Sequence, residues 1–300
     1  MIALPGGIRE LRRRIRAIEG TKQLTQAMKM IATARLGAAR QRITAASAYA
    51  SAVRIVLADL AAAGETPRAL ASLLAAREVR RDLYVVFASD RGLCGSFNHN
   101  LVHLALGAMD DHPGTSHCVL PVGRRGLRYF RRLGVELLKG YTSVGDDIPY
   151  SLARAIASEV CQLYSSGQVD AVAAVYGEFV NPLVQRPRLL RLLPLSPGQW
   201  GEDSDPGRAW PRNETPKRLY SYEPNPAAVI DRLMPRFIAA QIYWAAVQSK
   251  ASEHGARVTA METATENADD MLHRLTLSLH RARQTRITTE LAEIVSGAVD

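Results

Sequence analysis

Several things are scarce in this 300-residue chain, and each scarcity removes a class of protein. There are only three cysteines, Cys94, Cys118 and Cys161, far apart and without paired spacing, which argues against a disulfide scaffold or a zinc site and fits a reducing compartment. No apolar run reaches the eighteen or so residues of a membrane-spanning helix; the greasiest stretch, Phe237 to Val247, is interrupted by Gln241. Neither G-x-x-x-x-G-K-[ST] nor G-x-G-x-x-G occurs, so the two best-known phosphate cradles are missing. The seven histidines lack metal-ligand spacing: His99 and His103 could share a helix face, but no carboxylate joins them. Proline is absent after Pro235, and lysine is rare beside arginine, 5 against 33.

That last proline-free stretch is what the chain is organised around. From Phe237, apolar residues recur at alternate steps of three and four: Ala240, Trp244, Val247, Ala251, Val258, Met261, Ala268, Leu272, Leu275, Leu279 and Ala282, with His254, Thr265 and Arg286 breaking the row. A seven-residue repeat held this long keeps one seam against a partner helix. Gly255 weakens its middle by roughly 1 kcal/mol relative to alanine. At about 1.5 Å per residue the helix would extend for roughly 90 Å, beyond a compact globule of this length.

The N-terminus offers a second helix. After Pro5-Gly6-Gly7, apolar positions recur at Ile8, Leu11, Ile15 and Ile18, then at Leu24, Met28 and Ile31, and then at Ala38, Ala45 and Ala52. This reading needs a phase slip near Gly20–Thr21. The helix is expected to end by Gly64-Glu65-Thr66-Pro67. Two end helices with coiled-coil spacing and a self-contained middle predict an antiparallel pair.

The formal charge of +9 is concentrated here, with ten Lys or Arg between Ile8 and Arg42 against Glu10 and Glu19. A presequence would avoid those acids and end in a cleavage-like break, which the continuing helical pattern lacks. Binding to nucleic-acid phosphates is the alternative use of such charge, although the apolar seam is continuous and no aromatic interleaves before Tyr49.

The middle alternates short β-rich runs with helical patterns. Strands are expected at Leu83–Ala88, His117–Val122, Val135–Leu138, Ala171–Tyr176 and, at an edge, Leu189–Leu193. Helices are expected at Asn98–Met109, Arg124–Leu133 and Ser151–Tyr164, which together make a mostly parallel sheet with helices on its faces. Ser196 to Lys217, with prolines, glycines, acids, Trp200 and Trp210, reads as a surface loop. The turn around Gly92–Gly95 could approach an anion, though a plain strand-to-helix turn explains it as well. Cys94 with His99 and His103 could form a nucleophile and base, but no third residue orients them.

Several stretches then resemble one family. Thr25-Gln26-Ala27-Met28-Lys29-Met30-Ile31-Ala32, Ser89-Asp90-Arg91-Gly92-Leu93-Cys94-Gly95-Ser96-Phe97-Asn98 and Ala282-Arg283-Gln284-Thr285-Arg286-Ile287-Thr288-Thr289-Glu290-Leu291 look like the gamma subunit of the F-type ATP synthase. Tyr220-Ser221-Tyr222-Glu223-Pro224 and Ala264-Thr265-Glu266-Asn267-Ala268 continue the likeness in the family's order.

The resemblance implies a mixed α/β fold: a long antiparallel coiled coil of the N- and C-terminal helices with an inserted Rossmann-like α/β domain. The expected boundaries are 1–66, 67–218 and 219–300. It also implies a rotating shaft, one copy per complex, inside a ring of alpha and beta subunits. That shaft would stand on a membrane ring of c subunits and bind the epsilon subunit, with no nucleic acid, no inserted segment and no cofactor. By matching positions, Met28, Arg283, Gln284 and Thr288 would meet beta, and Tyr220, Tyr222 and Glu223 the c ring. The Asp90–Asn98 loop looks structural. Arg286 departs from the small residues usual on the seam, so the shaft end would splay or salt-link there. The chloroplast cysteine pair is missing, which with the lack of a transit peptide implies a bacterial enzyme, peripheral on the cytoplasmic face of the inner membrane.

Overall fold

The computed structural model describes residues 7–62, 77–194, 223 and 226–297. In chain order the elements are α1 (Ile8–Ala62), β1 (Arg81–Phe87), α2 (Phe97–Asp110), β2 (Ser116–Val122), α3 (Arg124–Leu133), β3 (Glu136–Leu137), α4 (Tyr150–Ser165), β4 (Ala171–Phe179), β5 (Gln185–Leu193) and α5 (Pro226–Gly297). They fall into two compact units, one of Met1–Thr33 with Arg257–Asp300, the other of Ala34–Ala256.

The larger unit is built on a five-stranded sheet in the order β3-β2-β1-β4-β5. β1 pairs in parallel with β2 and β4, β2 in parallel with β3, and β4 with β5 antiparallel. From Leu83 to Phe87, β1 is buried on both faces, which is why that stretch reads as an apolar run. Its Leu83, Val85 and Phe87 pack with Ile156 and Val160 of α4 and with Phe237, Ile238 and Ile242 of α5. Tyr84 and Val86 pack on the opposite face with Leu101, Val102 and Ala105 of α2. β5 begins four residues earlier than expected, and β3 is shorter. Gln185 to Arg188 lacks an apolar pattern because it lies on the sheet's edge, where Pro187 also removes no needed donor. α5 begins ahead of Pro235, at Pro226, and Met234 there is buried against the core.

The crevice where strand order reverses, at the carboxyl ends of β1 and β4, is where open α/β sheets usually receive ligands. Here α5 fills it. The Ser249 hydroxyl donates to the Phe87 carbonyl at 2.7 Å and accepts the Gly177 N–H at 3.2 Å. Ser252 donates to the Gly177 carbonyl at 2.9 Å, and Gln248 accepts the Phe179 N–H at 3.0 Å. A Cβ on Gly177 would stand 2.7 Å from the Phe97 ring, so only glycine lets helix and strand meet this closely. Gly255, the weak point of the helical pattern, is buried where a Cβ would press to 3.2 Å on Phe179 and Gln185 of the β4–β5 hairpin.

Asp90 ties the loops at this end together. Its carboxylate accepts the backbone N–H groups of Arg124 at 2.9 Å, Ser143 at 3.1 Å and Val144 at 2.8 Å. Burial alone would push its pKa up, but those donors and the nearby Lys250 charge outweigh burial, and the carboxyl ends below its ordinary 3.8.

The smaller unit is an antiparallel helix pair. Lys22 meets Asp269 at 2.5 Å, Thr25 meets Thr265 at 2.8 Å and Lys29 meets Glu262 at 2.6 Å, so rising numbers on α1 face falling numbers on α5. On α5 the covered positions are Val258, Met261, Thr265, Ala268, Leu272, Leu275, Leu279 and Ala282, the row that the spacing gives.

α1 needs a correction. There is no phase slip at Gly20–Thr21: the covered positions run on as Ile8, Leu11, Ile15, Ile18, Lys22, Thr25, Lys29 and Ala32 in an unbroken heptad pattern. Leu24 and Ile31, expected on the seam, are more than half exposed. In the larger unit Ala39, Ala46 and Val53 are buried where Ala38, Ala45 and Ala52 were expected. Polar residues hold the seam of α1 because their partners on α5 are polar too, and that matching is invisible in α1 alone.

Candidate interaction surface of the helix pair

With the seam placed, what each helix presents outward follows. On α1, Leu24, Met30 and Ile31 are exposed, and Met28 is half-buried, four residues from Leu24 and three from Ile31 on the same side. On α5 the covered row stops at Ala282, and every residue from Arg283 to Ile294 is exposed. Stepping back from the Lys22–Asp269 pair places Ile8 beside residues 282 and 283, so α5 runs on past the first described turn of α1.

That run carries Arg283, Gln284 and Thr288 beside Ile287, Leu291 and Ile294, all within one side of the helix by the 100° step per residue. Thr288 donates its hydroxyl to the Gln284 carbonyl at 2.9 Å, which leaves the oxygen's lone pairs facing outward. Among the described residues, no ion pair or side-chain hydrogen bond occupies the Arg283 guanidinium. Arg286 is exposed and bonded along its own helix to Glu290 at 2.7 Å, so of the two expectations for it the salt link is the one present. The apolar partners of this face were missed in the sequence. The signal was a second stripe of three-and-four spacing, Leu277, Gln284, Ile287, Leu291 and Ile294, lying off the seam.

The sites named from the sequence do not converge. Met28 stands level with Glu262 on α5, some twenty residues and about 30 Å along the axis from Arg283. They are two separate regions of the helix pair and do not form one site. Tyr220 and Tyr222 lie outside the described residues; Glu223 is exposed.

The basic N-terminal turns are partly neutralised. Glu10 binds Arg13 at 2.5 Å and Arg14 at 3.1 Å, and hydrogen bonds from both arginines hold its carboxyl below the ordinary 4.5. Lys22 and Lys29 are turned onto acids of α5.

In the central unit the candidate nucleophile Cys94 is packed inside, while the candidate bases His99 and His103 lie outside. Cys94 is 2% exposed, and its sulfur accepts from the Asn98 amide at 3.2 Å in a buried network with Ser89. His99 and His103 are exposed on α2, facing each other. Burial raises the Cys118 and Cys161 thiols to about 11, which keeps both protonated and unreactive near neutrality. Among the described residues, no three His, Cys, Asp or Glu side chains gather as a metal site, and no helix is long and apolar enough to cross a membrane.

A family model described as ATP synthase matches residues 7–299. The chain is 42% identical to the ATP synthase gamma chain of Heliobacterium modesticaldum, over 97% of this chain and 98% of that one. It is 40% identical to the gamma chain of Moorella thermoacetica, again over 97% and 98%. Among solved structures, the rotor of the Euglena gracilis mitochondrial ATP synthase shares the fold with a TM-score of 0.65 at 16% identity, over 93% of this chain and 98% of that one. The central stalk of the Tetrahymena thermophila enzyme does so at 0.59 and 23% identity, over 80% and 99%. An antiparallel helix pair carrying an inserted α/β unit, with relatives this similar over almost its whole length, places the chain in the ATP synthase gamma chain family.

Proposed function

We propose that this chain is the central rotor shaft of an F-type ATP synthase. It couples ion-driven rotation of a c ring to ATP synthesis or hydrolysis on beta subunits and performs no chemistry itself. The observation that carries the reading is the exposed end of α5. There α5 continues past the first described turn of α1 with an arginine, two polar residues and three large apolar side chains on one side. Such a face is costly in water and needs a sleeve of other subunits around it.

The parts divide the work as follows. The paired seam supplies stiffness, so torque applied at one end arrives at the other. Around the rod the surface is uneven: apolar at Leu24, Met28 and Ile31, cationic at Arg283, hydrogen-bonding at Gln284 and Thr288. Rotation brings these unlike faces past each beta subunit in turn. Arg283 contributes a charge-assisted hydrogen bond to an acceptor on beta, roughly twice as strong as a neutral one. Met28 and its apolar neighbours press on a second region of beta. Tyr220, Tyr222 and Glu223 form the foot on the c ring, and the epsilon subunit binds beside it.

In this reading 1–66 and 219–300 are the shaft and 67–218 the inserted domain, and the whole sits peripherally on the cytoplasmic face of a bacterial inner membrane. The use of Lys22, Lys29 and Glu10 in internal pairs argues against the charged helix as a nucleic-acid grip. Tagged chain purified from its native membranes should bring alpha, beta, epsilon and c subunits, with one copy of this chain per alpha–beta ring. Two copies per ring would overturn the reading.

A further inference from the structure

At the opposite end of the sheet from the crevice filled by α5, the larger unit contains a cavity of about 210 Å³. It exists because α2 ends at Asp110 while β1 and β4 continue, and because the side chains beneath that point, Ala171 and Ala173, are small. Its walls differ. Ala171, Ala173 and Leu189 make an apolar floor, Asp82 and Asp111 bring carboxylates, and Arg191 closes the far side.

Asp82 is the unusual residue. It is 6% exposed, and its Oδ1 has no hydrogen-bond partner among the described residues. The other oxygen stands 4.0 Å from His117 Nδ1, and the Tyr84 hydroxyl also reaches the carboxylate. Burial drives the carboxyl above its ordinary 3.8 by more than His117, His112 and Arg191 draw it down. Beside it stands the C-terminal end of α2, whose carbonyls carry the negative end of the helix dipole. Tyr84 bonds one of them, Ala108, at 3.1 Å. A buried carboxylate, a second carboxylate and a helix C-terminus around one cavity favour a positive guest. The absence of a three-donor cluster among the described residues argues against a divalent metal. The apolar floor suits methylene groups.

We propose that this cavity binds a small alkylammonium ion, its charged head at Asp82 and Asp111 and its hydrocarbon part along Ala171, Ala173 and Leu189. The site is independent of the rotor reading, since it shares no residue with the exposed faces of the helix pair.

The test is isothermal titration of the full chain with 1,4-diaminobutane, at constant ionic strength, with 1,4-butanediol as the uncharged probe. Saturable one-to-one binding of the diamine is expected, with no binding of the diol. Asp82→Asn should weaken the diamine by about tenfold or more. Ala173→Leu, which fills the cavity without touching a charge, should abolish binding and serves where Asp82→Asn folds poorly. Absent saturation at millimolar diamine, equal binding of the diol, or unchanged affinity in either folded variant would overturn the proposal.

Discussion

Thr25 and Thr265 face each other across the helix pair with hydroxyl oxygens 2.8 Å apart, although 240 residues separate them in the chain. Each also reaches a carbonyl of its own helix, Lys22 at 2.9 Å and Met261 at 2.8 Å. Because each hydroxyl has one hydrogen, whichever points across gives up its own carbonyl. With Lys22–Asp269 on one side and Lys29–Glu262 on the other, the two threonines form a polar layer in an otherwise apolar seam. Such layers fix register at some cost in stability.

That layer predicts a charge-swap result. Lys29→Glu alone would place two carboxylates together at Glu262 and should destabilise the chain by about 1 kcal/mol or less, because both side chains are partly exposed to screening solvent. Adding Glu262→Lys should recover most of the loss in urea unfolding. No recovery would mean the two residues are not paired.

The corrected seam on α1 separates two leucines that the sequence treats alike. Leu11 is 7% exposed, so Leu11→Ala should cost about 2–5 kcal/mol. Leu24 is 57% exposed, so Leu24→Ala should stay within about 0.5 kcal/mol in the isolated chain. Equal costs in chemical denaturation would restore the phase slip and refute the seam described above.

Two aspartates should give opposite pH trends. The Asp90 carboxyl lies below its ordinary 3.8, so its stabilisation is full above that value and fades as pH falls through the folded pKa. Asp90→Asn should therefore cost about 1.5–3 kcal/mol near neutrality, the range for hydrogen bonds to a charged group, and less in acid. The Asp82 carboxyl lies above 3.8, so its contribution is present below that value and lost as pH rises through the folded pKa. Asp82→Asn should raise stability near neutrality and remove that decline. Urea unfolding of both variants across acidic to neutral pH checks the pair of signs.

Much of this was legible in the sequence, for reasons that differ by element. The α5 row from Phe237 to Ala282 is readable because most of its seam positions are apolar, and β1 from Leu83 onward because burial on both faces selects apolar side chains there. The α1 seam was misread because Lys22, Thr25 and Lys29 owe their places to residues on a distant helix, while the apolar Leu24, Met28 and Ile31 beside them mark a second, outward stripe. The first half of β5 lacked an apolar signature because an edge strand need not have one. Of the residues proposed to meet beta, Arg283, Gln284 and Thr288 stand on the exposed end that their neighbours Ile287, Leu291 and Ile294 make conspicuous only once the seam is known. Tyr220 and Tyr222 fall outside the described residues.

For the proposed grip on beta, Arg283→Ala combined with Gln284→Ala should reduce coupled turnover of the assembled complex more than it reduces assembly. Neither side chain supports the helix pair, and both are exposed. Assembly measured by native mass and turnover measured on the same preparation decide it. Parallel loss of both would contradict the assigned role.

The most direct test of the rotor reading is to immobilise the alpha–beta ring, attach an optical probe to this chain and supply ATP. The account predicts persistent rotation of the probe in one direction, in discrete steps, with a single chain per ring. ATP hydrolysis continuing at full rate while the probe stands still would contradict it.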